Sequence, residues 1–236
     1  MSPVALITGA SRGLGLEIAR AYARRGLRLV LTARNEAPLA EAAAELARNT
    51  RVIAIPGDVA SPEHALRLVS QAYDTFGRID VLINNASELG PSPLVELQDL
   101  DRTTFQDILN VNVVAPLQII QQVLPAMRQQ GSGLIVNVTS DAAVNAYPTW
   151  GGYGASKAAL EHLSRILAAE LEGAGIRVYV VDPGDMNTAM HEAAEPGVDL
   201  SHLPGPEAVA PAFVRLLDDP APFARYEASV LLATAV

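Results

Sequence analysis

Cysteine is absent from the 236 residues. That excludes disulfides, thiolate metal sites and a cysteine nucleophile. Lysine is almost absent: of 17 basic residues, only Lys157 is not an arginine. Positive charge is itself scarce, with a formal net charge of −9 and a pI of about 4.9, which argues against nucleic acid as a partner. No apolar run approaches the ~20 residues that cross a bilayer. Met1-Ser-Pro leads straight into a strand-like run, with neither a basic n-region nor an apolar h-region. The expectation is a soluble cytoplasmic protein with no membrane partner. Half of the residues are hydrophobic, enough for a sizeable core, and the length fits one α/β domain spanning residues 1–236.

Short β-rich runs alternate with helical stretches along the chain. Strands are expected at 4–8, 27–33, 51–55, 79–84, 134–139 and 176–181, with helices between them. Ser61-Pro62 reads as an N-cap followed by proline at the first helical position. The stretch 101–130 reads as helix, with Pro116 and Pro125 as kinks or ends. Strand–helix alternation of this kind means a parallel sheet covered on both faces, a doubly wound fold. Residues 182–206 break the pattern, and 185–205 read as a lid over a site or as a surface loop. A last helix starts at Pro206, and Ala228–Val236 reads as a final edge strand. His64 and His162 are expected on helix surfaces.

The stretch from Ser140 to Lys157 carries chemistry. Tyr153 and Lys157 are four apart, so they share a helix face. An ammonium beside a phenol stabilises the phenolate and lowers its pKa, which suits proton transfer to or from an oxygen. A bare YxxxK is usually surface. Here the chain uses arginine everywhere else, and a compact ammonium does what a planar guanidinium cannot. That favours a chemical role for Lys157. Earlier in the chain, Thr8-Gly9-Ala-Ser11-Arg12-Gly13-Leu14-Gly15 joins the first strand to the first helix. Glycines there let the backbone approach a pyrophosphate at a helix N-terminus.

With these motifs in this order, the chain resembles the single-domain branch of the short-chain dehydrogenases/reductases over nearly its whole length. Thr8 to Gly15 matches TGxxxGxG. Asn84-Asn85-Ala86-Ser87 matches NNAG, with serine in place of glycine. Asp58-Val59 matches the acidic position that meets the adenine, and Pro183-Gly184 with Thr188 matches the nicotinamide-side motif. The C-terminal Arg225–Val236 departs from the glycine-containing tail common in the family. The resemblance implies a Rossmann-like sheet of about seven strands. It also implies catalysis by Asn112, Ser140, Tyr153 and Lys157, with Asn110 a near competitor for the asparagine. Gly9, Ser11, Arg12, Gly13, Leu14, Gly15, Arg34, Asp58, Val59, Asn85, Ala86, Tyr153, Lys157, Pro183, Gly184 and Thr188 would hold the dinucleotide. No metal is implied.

The implied reaction is reduction of a ketone or aldehyde, or the reverse oxidation of an alcohol, with Tyr153 as general acid/base. The second strand ends Thr32-Ala33-Arg34, where NAD-selective sites place a carboxylate for the ribose 2′-hydroxyl. Arg34 and Arg12 instead suit a 2′-phosphate, so NADP(H) is expected over NAD(H), with Glu36 the residue that could reverse this by turning inward. A small carbonyl or alcohol is the expected partner, and the family commonly forms dimers or tetramers through the helices at 101–130 and 153–172. Two other readings compete. One is a non-catalytic dinucleotide-binding regulator, which usually lacks the Tyr or Lys. The other is an epimerase or dehydratase of the extended branch, which typically carries a longer C-terminal domain.

Overall fold

The computed structural model describes residues 2–233. Its strands are β1 (Val4–Thr8), β2 (Arg28–Thr32), β3 (Val52–Ala54), β4 (Val81–Asn84), β5 (Gly133–Val138), β6 (Ile176–Asp182) and β7 (Phe223–Glu227). They form one sheet in the order β3-β2-β1-β4-β5-β6-β7, and every neighbouring pair is parallel. Parallel neighbours need crossovers. These are supplied by α1 (Gly13–Arg24), α2 (Glu36–Leu46), α3 (Pro62–Phe76), α4 (Arg102–Leu109), α5 (Ala115–Gln130), α6 (Gly151–Glu170), α7 (Ala189–Ala194) and α8 (Pro206–Arg215). The chain runs outward from β1 to β3, then returns beside β1 as β4 and continues to β7. At that reversal the connecting loops part to opposite faces and leave a crevice at the strands' carboxyl ends.

Alternation along β1 divides the core. Ala5 and Ile7 face a cluster with Ile18 and Tyr22 of α1 and Phe213 of α8. Val4 and Leu6 face another with Leu68 of α3, Ile119 and Val123 of α5 and Leu167 of α6. Both faces are covered, which is why the strand reads as a continuous apolar run. Each such side chain, fully buried, contributes roughly 1.5–3 kcal/mol. Tyr22 avoids a desolvation penalty because its hydroxyl donates to the Phe213 carbonyl at 3.0 Å.

Three elements differ from expectation. The stretch 102–130 is one long helix interrupted by a π turn at Asn110–Val114. The π turn ends just before Pro116, whose ring needs room at the carbonyl four residues back, that of Asn112. A wider turn supplies it. Pro125 sits inside α5 without ending it. This helix is long and apolar enough to cross a bilayer, but Ile119, Ile120, Val123 and Met127 are buried in the core.

The C-terminal edge strand is β7, not Ala228–Val236. Phe223 packs toward one core and Ala224 and Tyr226 toward the other, whereas Ala228-Ser-Val-Leu-Leu-Ala has no period-2 pattern and forms helix α9 (Ala228–Ala233). Residues 234–236 of the expected strand lie outside the described residues.

His64 is buried, 4% exposed, rather than on the surface. It shares the inner stripe of α3 with Ala65, Leu68, Val69, Ala72 and Phe76. Its Nδ1 lies 3.0 Å from an Arg67 nitrogen. Arginine can only donate, so Nδ1 accepts and the ring proton sits on Nε2, 2.8 Å from Thr32 Oγ1. Burial, aided by the Arg67 charge, lowers the His64 pKa. Ser61 caps the same helix, accepting from the His64 N–H at 3.1 Å. His162 is exposed, as expected.

Candidate active site

A cavity of about 610 Å³ opens at the carboxyl ends of the strands. One end is a backbone cradle. Thr8 Oγ1 accepts from the N–H groups of Asn85 and Ala86, both at 3.0 Å, and Asn85 Nδ2 donates to the Thr8 carbonyl at 3.0 Å. These bonds clamp the loop after β1 to the loop after β4. A Cβ on Gly15 would lie 2.4 Å from the Gly9 carbonyl oxygen, so only glycine lets α1 begin this close to the strand. Ser11, Arg12, Gly13 and Leu14 line the cavity in front of the free N–H groups of α1. Asp58, Val59, Asn85, Ala86, Pro183, Gly184 and Thr188 line it as well. The dimensions and donors of this cradle fit a dinucleotide.

Arg34 lines the same end, with Ala33 beside it. The Arg34 guanidinium is 3.6 Å from the Glu88 carboxylate and is 64% exposed. Glu36 opens α2, points to solvent and takes no part in the cavity wall.

Ser140, Tyr153 and Lys157 meet at the other end. Ser140 ends the run of β5 and caps a short 3₁₀ turn, its Oγ accepting from the Ala142 N–H at 3.2 Å. Tyr153 and Lys157 lie one turn apart on α6 and are 9% and 2% exposed. A Cβ on Gly154 would lie 2.7 Å from the Ala142 carbonyl oxygen, so this glycine lets the Ser140 turn press against α6. Thr149, one residue before Trp150, is held at φ 70°, a strained conformation for a β-branched residue.

The electrostatics depart from expectation. Burial pushes the Tyr153 phenol up to about 12, with Asp182 and Asp141 adding to the rise and the Ser87 and Ser140 hydroxyls opposing it. Burial likewise pulls the Lys157 ammonium down to about 8. Lys157 Nζ donates to the Val138 carbonyl at 2.9 Å and lies 5.4 Å from the Tyr153 ring centroid. The ammonium is therefore engaged by the backbone, and desolvation dominates both groups. A neutral phenol beside an ammonium is the resting state at neutral pH, a proton donor with a cation poised to stabilise what remains.

Asn112, not Asn110, turns inward. The π turn buries it to 1% exposure, while Asn110 faces solvent. Its Oδ1 accepts from Ser87 Oγ at 3.0 Å and the Glu88 N–H at 2.7 Å, and its Nδ2 donates to the Glu88 carbonyl at 2.8 Å and to Ser156 Oγ at 2.9 Å. Asn112 and Gly15 thus support the wall from behind rather than line it.

Sequence reasoning missed a charged cluster under this site. Arg225 of β7 donates to Glu161 Oε1 at 3.0 Å and to Asp182 Oδ2 at 3.3 Å. Glu161 also accepts from Thr139 Oγ1 at 2.9 Å, and Asp182 Oδ1 from the Gly184 N–H at 3.0 Å. The signal was present: Glu161 follows Lys157 by one helical turn, on the same inward face. Residues 182–206 fold over the opening. Thr188 caps α7, and Ala193 and Ala194 pack with Leu89, Trp150 and Tyr153.

Residues 3–199 match the short chain dehydrogenase family model. The ketoacyl reductase HetN of Nostoc sp. is 37% identical over 216 residues, which cover 90% of this chain and 74% of the relative. Among the solved structures that share the fold are two with a bound dinucleotide. The alcohol dehydrogenase from the archaeon Thermococcus sibiricus, complexed with 5-hydroxy-NADP, has a TM-score of 0.84 at 30% identity over 96% of both chains. An NAD⁺-bound xylitol dehydrogenase has a TM-score of 0.85 at 25% identity over 95% of this chain and 96% of that one.

Proposed function

Because the chain belongs to the short-chain dehydrogenase/reductase family, oxidoreductases acting on CH–OH or C=O groups with a nicotinamide dinucleotide, we propose that it reduces a ketone or aldehyde with NADP(H), or runs the reverse oxidation. The observation that carries this reading is the convergence of Ser140, Tyr153 and Lys157 at one end of a cavity whose other end is a backbone cradle. A reduced nicotinamide dinucleotide would be held by the cradle of Gly9, Ser11, Arg12, Gly13 and Leu14 and would supply a hydride there. Ser140 Oγ orients the carbonyl oxygen, and the Tyr153 hydroxyl gives that oxygen its proton. The phenolate left behind is stabilised by the Lys157 ammonium, which must be charged to serve. Asn112 holds the loop after β4 in place through both backbone groups of Glu88.

The dinucleotides named for the two structural neighbours differ, so the choice of NADP(H) rests on this chain's own residues: Arg34 and Arg12 on the wall, and no carboxylate at Ala33. Residues 185–205 serve as the lid. Assembly through the outer faces of α5 and α6, which leave Ile166 exposed, is part of the same reading and is decided by the mass in solution.

Tyr153→Phe tests the chemistry. It keeps the ring and its packing but removes the transferable proton. Turnover of a carbonyl panel should fall by roughly 10²- to 10⁴-fold, while the NADPH dissociation constant stays close to wild type. An active Tyr153→Phe enzyme would sink the assignment. Cofactor binding by wild type with no turnover of any carbonyl or alcohol would favour a non-catalytic binder.

A further inference from the structure

At the substrate end of the cavity, acids outnumber the single buried cation, Lys157. Asp141 follows Ser140 on the wall, Asp185 stands on the segment after β6, and Asp182 lies buried at the end of β6. Their fields overlap there. Asp141 and Asp182 both push the Tyr153 phenol up, Asp141 pushes up the Asp182 carboxyl, and Asp185 adds to the rise at Tyr147. The basic groups nearby offset these acids only in part. Arg225 pairs with Asp182 and Glu161, His191 faces Glu195 at 3.5 Å, and Lys157 is buried against the Val138 carbonyl. Arg12 and Arg34 line the cradle end. Between the acids the wall is apolar, formed by Leu89, Trp150, Met186 and Ala194.

Asp141 is fixed in place from both sides. Its Oδ1 accepts from Ser140 Oγ at 3.0 Å and its Oδ2 from the Tyr147 hydroxyl at 2.5 Å. The carboxylate therefore stands beside the serine hydroxyl that is to meet the carbonyl oxygen, and when that hydroxyl turns to the carbonyl the Tyr147 hydroxyl still holds Asp141. We propose that Asp141 is a specificity-determining residue: it restricts the substrate to uncharged carbonyl compounds with an apolar body and shuts out those bearing a carboxylate, sulfonate or phosphate near the reacting carbon. The inference rests on the carbonyl-reducing reading of the site. An anionic group ~6–10 Å from Asp141, at an effective dielectric of about 20, is disfavoured by roughly one to two decades in affinity.

Trp150, the single tryptophan of the chain, reports occupancy of this wall without any turnover. The experiment titrates 4-oxopentanoate and its methyl ester into the NADP⁺-saturated protein and follows Trp150 fluorescence, for wild type, Asp141→Asn and Asp185→Asn. Wild type should bind the ester at least about 10-fold more tightly than the carboxylate. Asp141→Asn, similar in size but uncharged, should bring the two affinities together, and Asp185→Asn should do so in part. Equal binding by wild type, no saturable response to either ligand, or a ratio unchanged in a folded Asp141→Asn protein would overturn the proposal. NADPH oxidation with the ester is measured in parallel. Its absence counts against carbonyl reduction and leaves the charge preference to be read from fluorescence.

Discussion

Arg34 rests against Glu88 at 3.6 Å, so a 2′-phosphate has to draw its guanidinium away from a carboxylate that is itself partly exposed. An exposed pair of this kind is worth little, and a bidentate phosphate contact outweighs it. Arg34→Ala and Arg12→Ala should each weaken NADPH by roughly 10- to 100-fold, since a hydrogen bond to a charged group contributes about 1.5–3 kcal/mol, and should leave NADH nearly unchanged. Dissociation constants for both cofactors decide this. Equal losses for the two, or wild-type NADH binding as tight as NADPH, would show that neither arginine reads the phosphate. Arg34 was legible in sequence because its place at the end of β2 is local information. Glu88 was not, because its approach depends on how β2 and β4 are arranged in the sheet. The placement of Lys157 beside Tyr153 was legible for a different reason, the four-residue spacing that puts both on one face of α6.

Helix α3 shows what periodicity can and cannot deliver. Its cap at Ser61-Pro62 was readable from two adjacent residues. The burial of His64 was equally present, since the histidine lies on the stripe of Ala65, Leu68, Val69, Ala72 and Phe76, but polarity outweighed position. The burial has a thermodynamic signature. Unfolded, His64 takes up a proton below its ordinary pKa of about 6.5. Folded, it resists until a lower pH, because burial disfavours the charged ring and a protonated ring would also lose the acceptor facing Arg67. Between those two values the unfolded chain binds more protons, so stability rises with pH there and is lost as the solution is acidified through the window. Urea unfolding of wild type should show this decline below about pH 6.5. His64→Gln, weakened overall by roughly 1–3 kcal/mol through the disrupted buried bonds, should lack that component. Parallel pH curves for the two proteins would refute it. The π turn and α9 were not legible. The first arises from fitting Pro116 into a continuous helix, and the second from a short apolar run that packs on α8 and β7, a contact its own periodicity does not disclose.

Across the whole molecule, the doubly wound parallel sheet with helices on both faces was legible from strand–helix alternation, whereas the strand order was not, and the cluster beneath the crevice joins three distant segments. Glu161 and Asp182 are buried carboxylates, with side chains 4% and 8% exposed, and Arg225 of β7 bonds both. Removing the cation strands Asp182 and leaves Glu161 only its longer pair with Arg165, at 3.4 Å. Arg225→Ala should destabilise the fold by roughly 2–4 kcal/mol and loosen the turn at Pro183-Gly184, measurable as a lower urea midpoint together with weaker cofactor binding. A change below about 0.5 kcal/mol would mean the cluster is effectively solvated. The order of synthesis gives this arrangement a further consequence. Arg225 leaves the ribosome after Glu161 and Asp182, whatever follows it in the chain. Until it arrives, Glu161 has only Arg165 and Asp182 has no ion-pair partner among the described residues of the earlier chain, so closing β5, α6 and β6 early would bury the Asp182 charge uncompensated. The same cation that steadies the finished site would then favour its closing late, after β7 has been made.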